Sequence, residues 1–328
     1  MASALPAMAQ VPPALDSMVR RIFGTNEFGP RQRFGPAVWI EGGAAYTTVE
    51  RSATLAGASD IVRYDPASGA RSVFVSASQL VPKGRTTALE IEDYSLSDDG
   101  SQVLIFTATE RVWRQNTRGD YWLLNRPTGA LRQLGKPEGP SSSLMYAKFS
   151  PTGDRVAYVL GGDIHVERVA DGARIQLTTG ADSVHVSGMT DWVYEEEFSV
   201  RDGFRWSPDG KRIAFWNFDM TGVGTFKLIN DTDSLYPITI PIQYPKVGTA
   251  NSAVRIGVVS ADGGPTTWIQ LPGDPREDYV ARMEWAGPRE LVIQRPNRLQ
   301  NTNSSSWLTR RPERPGRSSP SGIAPGWT

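Results

Sequence analysis

The densest group of side chains that could do chemistry lies at residues 191–198, which read DWVYEEEF. Adjacent carboxylates repel one another, so a run of three glutamates usually lies in solvent. Bulky aromatic residues flank these acids, however, and the pattern predicts an anchored segment that directs some carboxylates into a partly desolvated space. Two converging carboxylates suit an ammonium group, which has three donors and no acceptor, such as the free α-amine of a peptide. The residues expected to form or support such a site are Asp191, Trp192, Tyr194, Glu195, Glu196 and Glu197.

A second polar candidate is Arg114, which follows Trp113 at the end of a strand pattern. The planar guanidinium of an arginine can hold a carbonyl or a carboxylate through two parallel hydrogen bonds. Taken alone, an exposed arginine on the rim of a sheet is the more common use of such a residue.

Other catalytic groups are scarce. The chain has no Cys and two histidines, which excludes disulfides, thiolate zinc sites and cysteine nucleophiles. Both His165 and His185 lie in strand patterns, and we expect them to serve in packing or at the surface. No G-x-S-x-G motif occurs, since residues 57–61 read GASDI and fail at the last position. We therefore predict no catalytic residue, no metal site and no cofactor in this chain.

Composition limits the function classes further. The 328 residues carry 35 Lys plus Arg and 35 Asp plus Glu, so the formal net charge is zero. A nucleic-acid binder needs a basic excess, and none is present. No apolar run approaches the roughly 18 residues that span a bilayer, so no membrane span is expected. Many glycines, prolines and aromatic residues favour many short strands over long helices.

A repeat along the chain predicts the fold. Three segments, YSLSDDGSQVLIF, KFSPTGDRVAYV and RWSPDGKRIAFW, each place a tight turn before a strand, with turn serines at Ser97, Ser150 and Ser207. A second hairpin signal lies between successive turns, which gives two hairpins in each unit of about 50 residues. Repeated four-stranded units are propeller blades, whereas a β-sandwich would lack this long period. We predict an all-β fold, a β-propeller with about four to five four-stranded blades in this chain.

The blades can be placed approximately. Four are expected near residues 38–80, 90–134, 144–178 and 204–271, the last with an insertion, and a fifth opens at 279–294 and stops after one hairpin. A propeller closes radially to hide its strand edges. A partial last blade predicts either that this chain closes poorly into a propeller on its own or that it is part of a longer structure.

The two ends are set apart from this propeller. Residues 1–14 are predicted to be a leader or the remnant of a signal peptide, since Ala7-Met8-Ala9 looks like a signal-peptidase site. The basic region and apolar core of a working signal are missing, so a disordered leader remains an equal alternative. Residues 304–328 are rich in Ser, Gly, Pro and Arg and are predicted to be a disordered or out-of-frame tail.

Residues 190–198 (TDWVYEEEF), followed by WSPDGKRIAFWNFD, are similar to the signature of the dipeptidyl peptidase IV family, serine exopeptidases of the prolyl oligopeptidase clan. Further agreement comes from TERVWR, YPITIPIQYPKVGTAN and RLQNTN, so that the resemblance covers roughly residues 15–303. It implies an eight-bladed propeller followed by an α/β-hydrolase domain, with the substrate held between them.

The resemblance also implies residue roles. The second and third glutamates of the family's box bind the free N-terminus of the substrate, and they match Glu196 and Glu197. The family's arginine after the Trp contacts the carbonyl of the second substrate residue and matches Arg114. The implied reaction releases an N-terminal Xaa-Pro or Xaa-Ala dipeptide, so the expected partner is a peptide N-terminus with Pro or Ala in second position. Homodimers are implied too, as is export to the periplasm or beyond, which agrees with Ala7-Met8-Ala9.

The chain departs from the family pattern where catalysis is concerned. The family's nucleophile lies on a G-x-S-x-G elbow in the hydrolase domain, and the resemblance stops at Asn303. Our hypothesis is a truncated or frameshifted chain that holds about half of a propeller and is inactive as a peptidase alone. The alternative is a non-catalytic propeller that binds proteins or peptides, although it gives no reason to pair the glutamate box with Arg114. A glycosidase-type propeller is weaker, because adjacent glutamates act from one side of a bond.

Overall fold

The computed structural model describes residues 12–25, 27–28, 37–135 and 140–309. Most of the predicted leader, including Ala7-Met8-Ala9, and residues 310–328 of the predicted tail lie outside these ranges. The described part begins with a short helix, α1 (Pro13–Val19), and a π-helical turn at Arg20–Gly24.

The first blade is an antiparallel meander of four strands in the order of the chain. They are β1 (Val38–Ile40), β2 (Ala45–Arg51), β3 (Ser59–Tyr64) and β4 (Arg71–Val75).

The second and third blades are joined into one sheet. Blade 2 consists of β5 (Asp93–Leu96), β6 (Gln102–Val112), β7 (Gln115–Asn125) and β8 (Ala130–Gln133). Blade 3 consists of β9 (Leu144–Phe149), β10 (Arg155–Leu160), β11 (Asp163–Arg168) and β12 (Arg174–Gln176). The strands β6 and β7 are 11 residues each and extend past the rest of blade 2. Where they do so, β7 pairs with β9, which makes eight strands continuous.

The fourth blade contains two insertions, and the fifth has three strands. Blade 4 consists of β13 (His185–Met189), β14 (Asp202–Trp206), β15 (Arg212–Asp219), β18 (Ala253–Ser260) and β19 (Thr267–Trp268). Its insertions are α2 (Trp192–Phe198) and the hairpin of β16 (Thr225–Asn230) with β17 (Ile238–Gln243). Blade 5 consists of β20 (Arg282–Gly287), β21 (Glu290–Pro296) and β22 (Asn303–Thr309).

The repeat seen in the sequence is a turn held by one serine. The hydroxyls of Ser97, Ser150 and Ser207 each accept the backbone N–H five residues later, at 3.0, 3.2 and 2.9 Å. Each serine carbonyl also accepts the N–H of the glycine three residues on. These bonds close the hairpin between the first and second strands of blades 2, 3 and 4, so the four-stranded units predicted from the repeat are confirmed.

The core lies between blades rather than inside one layer. Separate clusters of buried apolar side chains fill the spaces between blades 1 and 2, 2 and 3, 3 and 4, and 4 and 5. Neighbouring residues such as Leu104 and Ile105 therefore point to different clusters, and both are buried. The middle strands therefore carry consecutive buried apolar residues, such as 103–106 in β6, because both of their faces are covered there.

Two predicted boundaries are corrected. Blade 4 begins at His185 and not near residue 204, because its first strand is split by α2. Blade 5 does not stop after one hairpin: β22 pairs with β21 over seven residues and carries the propeller to Thr309, beyond the predicted end at residue 303. The serine-rich sequence of β22 did not indicate a strand. The segment is held in strand conformation by its pairing with β21.

Candidate functional site

The acidic segment lies on an excursion from the first strand of blade 4. Both β13 and β14 pair with β15, so they form the two halves of a single edge strand. Residues 190–201 leave this strand and return to it. The sequence placed the segment in the connection between the third and fourth blades, and the structure corrects this: the segment is part of the fourth.

Two glycines close the neck of this excursion. Gly188 lies opposite Gly203, and the next pair is Met189 with Asp202. A Cβ atom on Gly203 would lie 2.7 Å from backbone atoms of Gly188 and Met189. Gly188 has a φ of 79°, which favours glycine, and its Cβ would lie 2.5 Å from Ile164. The two backbone segments can approach this closely because Gly203 has no side chain, and the absence of one on Gly188 leaves room for Ile164.

The helix α2 is fixed at its start by Asp191. Its carboxylate caps the helix by accepting the N–H of Tyr194 at 3.0 Å. The hydroxyl of Ser252 donates to the same carboxylate at 2.6 Å. Burial raises the pKa of Asp191, and these two hydrogen bonds oppose that rise.

The aromatic side chain of Tyr194 anchors the middle of the helix. It is 1% exposed and belongs to the core between blades 4 and 5. Its hydroxyl accepts the backbone N–H of Val280 at 2.7 Å, and its ring lies edge-on to Phe218. The helix is therefore tied to blade 5 as well as to blade 4.

The first glutamate of the box points inward. The side chain of Glu195 is 4% exposed, and its Oε1 lies 3.5 Å from Nε of Arg201, where the excursion returns. Neither of these two atoms has a hydrogen-bond partner within the described ranges. Burial raises the pKa of Glu195, while the positive charge of Arg201 opposes the rise. Nothing in the local sequence pattern marked Arg201 as the partner of this acid.

The second glutamate meets the predicted arginine. Oε1 of Glu196 lies 2.9 Å from Nε of Arg114, and the glutamate side chain is 16% exposed against 75% for the arginine. Arg114 belongs to the turn between β6 and β7, directly after Trp113, whose φ is 53°. The two long strands carry this turn from blade 2 to the helix of blade 4. Arg114 of blade 2 and Glu196 of blade 4, which the sequence predicted for one site, are thus in contact although blade 3 lies between their blades.

Ser142 is hydrogen-bonded to both strands where β6 and β7 project from blade 2. A bulge at Ala108 interrupts the pairing, and the hydroxyl of Ser142 donates to the Ala108 carbonyl. The carboxylate of Asp120 accepts the Ser142 N–H at 2.7 Å. Nε of Arg111 donates to the carbonyl of Trp113 at 3.0 Å. Trp113 therefore shapes the turn that presents Arg114.

The third glutamate lies apart from the other two. Glu197 is exposed and has no ion pair or hydrogen bond with the residues that the structure describes. It lines an open cleft of about 1030 Å³, which neither Glu196 nor Arg114 lines. Trp192 also lines this cleft, where its ring centroid is 4.2 Å from that of Tyr244. The carboxylates of Glu196 and Glu197 thus have different surroundings before any ligand binds.

Both histidines lie outside this group. His165 is 6% exposed and stacks on Tyr158, with ring centroids 5.9 Å apart. Burial lowers its pKa to about 4, and the charge of Arg174 acts in the same direction. His185 is half-buried, and a hydrogen bond to Asp182 raises its pKa. In the described ranges, no cluster of acidic, His or Cys side chains is suited to a metal ion, and no helix has the length and apolarity to cross a membrane.

The buried imidazole predicts a pH dependence of stability. A folded-state pKa near 4, below the ordinary value of 6.5, means that the unfolded chain binds a proton first as the pH falls. Stability should therefore be lost between about pH 6.5 and pH 4. We expect His165→Phe, which keeps the ring stack, to remove about 2 kcal/mol of this loss. Urea unfolding of the unaltered chain and of the variant at pH 7 and pH 4.5 measures the loss in the free energy of unfolding. Equal losses in the two proteins would contradict the role given to His165.

The model of the family described as the dipeptidyl peptidase IV (DPP IV) N-terminal region matches residues 97–321. Inactive dipeptidyl peptidase 10 of Rattus norvegicus is 30% identical over 213 residues, which is 63% of this chain and 27% of that protein. Dipeptidyl peptidase 4 of Felis catus is 32% identical over 228 residues, which is 64% of this chain and 29% of that protein.

A solved structure is similar over more of the chain. The crystal structure of Porphyromonas gingivalis dipeptidyl peptidase 4 superposes with a TM-score of 0.78 and 28% identity, and it covers 88% of this chain and 40% of that one. The predicted propeller fold is thereby confirmed. The chain spans less than a third of the length of the two curated relatives, one of which is named as inactive.

Proposed function

The chain belongs to the family of the dipeptidyl peptidase IV N-terminal region, and from that premise we propose that it is the substrate-recognition propeller of a dipeptidyl peptidase IV-like serine exopeptidase. The observation that carries the proposal is the 2.9 Å ion pair between Glu196 and Arg114. A propeller that served only as a scaffold would need neither the long β6–β7 turn nor the helix inserted into blade 4.

The ligand proposed for this site is the free α-amine of a peptide with Pro or Ala in second position. Glu196 supplies a carboxylate that is largely shielded from water, and Glu197 supplies one that has no competing partner among the residues that the structure describes. An ammonium group placed between them would donate to both. Arg114 offsets the mutual repulsion of the two acids and keeps most of its guanidinium exposed, where it can donate to a peptide carbonyl.

These residues bind and orient, and they contribute no nucleophile. Because the amine is held at a fixed place, the bond two residues along the peptide is placed at a fixed distance, which explains release of a dipeptide. Breaking that bond needs a nucleophile, a base and an oxyanion site, which the family keeps in its hydrolase domain. We expect this chain alone to bind such peptides without cleaving them. We also propose that the protein is exported and that it forms homodimers, as the family implies.

The proposal predicts that binding requires a charged amine. A Gly-Pro-Ala peptide with a free N-terminus should bind the chain at least about tenfold more tightly than its N-acetylated form, because acetylation removes the charge that the carboxylates recognise. Titration calorimetry at pH 6.5, where the amine is protonated, measures the difference. Equal affinities would refute the amine site.

A non-catalytic binding module is the second candidate, and the similarity to a relative named as inactive favours it. The two candidates differ in what they recognise. A general binding module would take up a peptide through its length and would tolerate acetylation, whereas the proposed recognition propeller would not.

A further inference from the structure

The first glutamate of the box carries a charge that the proposed amine site does not use. The side chain of Glu195 is 4% exposed, and its one ion pair among the described residues is with Arg201, at 3.5 Å between Oε1 and Nε. Neither atom has a hydrogen bond within the described ranges. A buried ion pair of this kind adds little stability, because the cost of removing two charges from water offsets their attraction. Stability alone therefore does not explain the pair.

The other acids around Arg201 already have cations of their own. Asp202, the next residue, pairs with Nζ of Lys148 at 2.6 Å and with an arginine of β14 at 3.0 Å. Glu196 pairs with the arginine of the β6–β7 turn at 2.9 Å. The guanidinium of Arg201 is thus left to Glu195, and the excursion carries one cation for each of these acids.

Arg201 lies at a point of the chain that is held independently of the helix. It directly precedes Asp202, which lies opposite Met189 at the neck of the excursion. The pair also lies near Tyr146 of blade 3: burial raises the pKa of Tyr146, the charge of Glu195 adds to that rise, and the charge of Arg201 opposes it. The contact between Glu195 and Arg201 therefore ties the helix to the neck, where the chain leaves and rejoins the sheet.

The helix α2 is too short to fix its own orientation. It has seven residues, and an isolated helix of about two turns is unstable in water. Successive helical residues point about 100° apart, so the direction of Glu195 sets the directions of the next two glutamates. Asp191 and Tyr194 fix the first turn of the helix, whereas Arg201 holds the residue directly before the two carboxylates of the proposed site.

We propose that Arg201 is a positioning residue of the amine site: by holding Glu195 inward, it keeps Glu196 and Glu197 directed towards the peptide amine. The inference rests on the proposed amine site and adds a residue that acts without contacting the peptide. Without the pair, the two recognising carboxylates would be less ordered before binding. They would then lose more conformational entropy when the peptide binds, so affinity should fall while the fold is kept.

The test separates peptide affinity from stability. Arg201→Met leaves the charge of Glu195 buried without a partner and should lower the urea midpoint of unfolding. Adding Glu195→Gln removes that charge, so the double variant should regain the urea midpoint of the unaltered chain. Its affinity for Gly-Pro-Ala should nevertheless stay about tenfold weaker, because two side chains have lost their preorganisation. Binding of the N-acetylated peptide should not change.

Two further variants serve as controls, both measured by titration calorimetry at pH 6.5. Arg201→Lys keeps the charge and should recover part of the affinity that Arg201→Met loses. Arg255→Met removes an exposed arginine of the same blade that has no ion pair among the described residues, and the preference for the free peptide should persist in it.

The outcomes distinguish the positioning role from the amine site. If the double variant keeps the full preference for the free peptide, Arg201 has no positioning role and the amine site stands. If the double variant loses stability together with affinity, the pair belongs to the fold and the positioning role is refuted. If the unaltered chain binds free and acetylated peptides equally, the amine site is refuted and the positioning role with it.

Discussion

Replacing Glu196 with glutamine is expected to weaken the binding of Gly-Pro-Ala by roughly 10- to 100-fold, or about 1.5–3 kcal/mol. The substitution keeps the shape of the side chain and removes its charge. The peptide ammonium then has one charged partner instead of two, and Arg114 loses the carboxylate that fixes it at 2.9 Å. Titration calorimetry on the full chain gives the loss directly, without depending on catalysis.

The control for this result is another exposed glutamate. Glu90 lies between blades 1 and 2, and Glu90→Gln should leave the peptide affinity within about twofold of its original value. Arg114→Met supplies a second check. Because Arg114 and Glu196 contact each other, the double substitution should cost less than the two single losses added together. Additive losses, or full affinity in Glu196→Gln, would remove the ion pair from the proposed site.

Replacing Gly203 with alanine is expected to destabilise the chain by about 3 kcal/mol and to abolish peptide binding. The added Cβ would lie 2.7 Å from the backbone of Gly188 and Met189, and backbone cannot rotate away as a side chain can. The neck of the excursion would have to open, which displaces the helix that carries Glu196 and Glu197. Urea unfolding followed by tryptophan fluorescence, together with the peptide titration, measures both effects.

A glycine with free space around it provides the comparison. Gly224 has only one non-neighbouring atom near its would-be Cβ, the Tyr244 carbonyl oxygen at 3.7 Å, an ordinary contact. Gly224→Ala should therefore change stability by less than about 1 kcal/mol. If Gly203→Ala behaved like Gly224→Ala, the close approach at the neck would not be what holds the excursion together.

Local chemistry made the blades predictable. The Ser-x-x-Gly turns at Ser97, Ser150 and Ser207 recur because each serine hydroxyl satisfies a backbone N–H of the same hairpin, a short-range bond. The third strand of blade 5 could not be predicted in this way. The ladder with β21 orders residues 303–309, and that information lies in the partner strand.

The site was predictable in part for a similar reason. The glutamate box and the Trp-Arg pair are visible in the sequence, and the structure brings Glu196 and Arg114 together. The sequence did not reveal that Glu195 turns inward to Arg201 or that Glu197 faces the hairpin of blade 4. The direction of each glutamate depends on how α2 leaves and rejoins a split strand. That geometry is set by contacts between residues far apart in the chain.

The ion pair between Arg114 and Glu196 has its two ends on blades 2 and 4, so its length depends on how far blade 3 holds its neighbours apart. We expect a change in the tilt of blade 3 to alter the distance between Glu196 and Arg114 without unfolding any blade. Peptide affinity would then depend on the spacing between blades 2 and 4, and so on residues of blade 3 that do not contact the peptide.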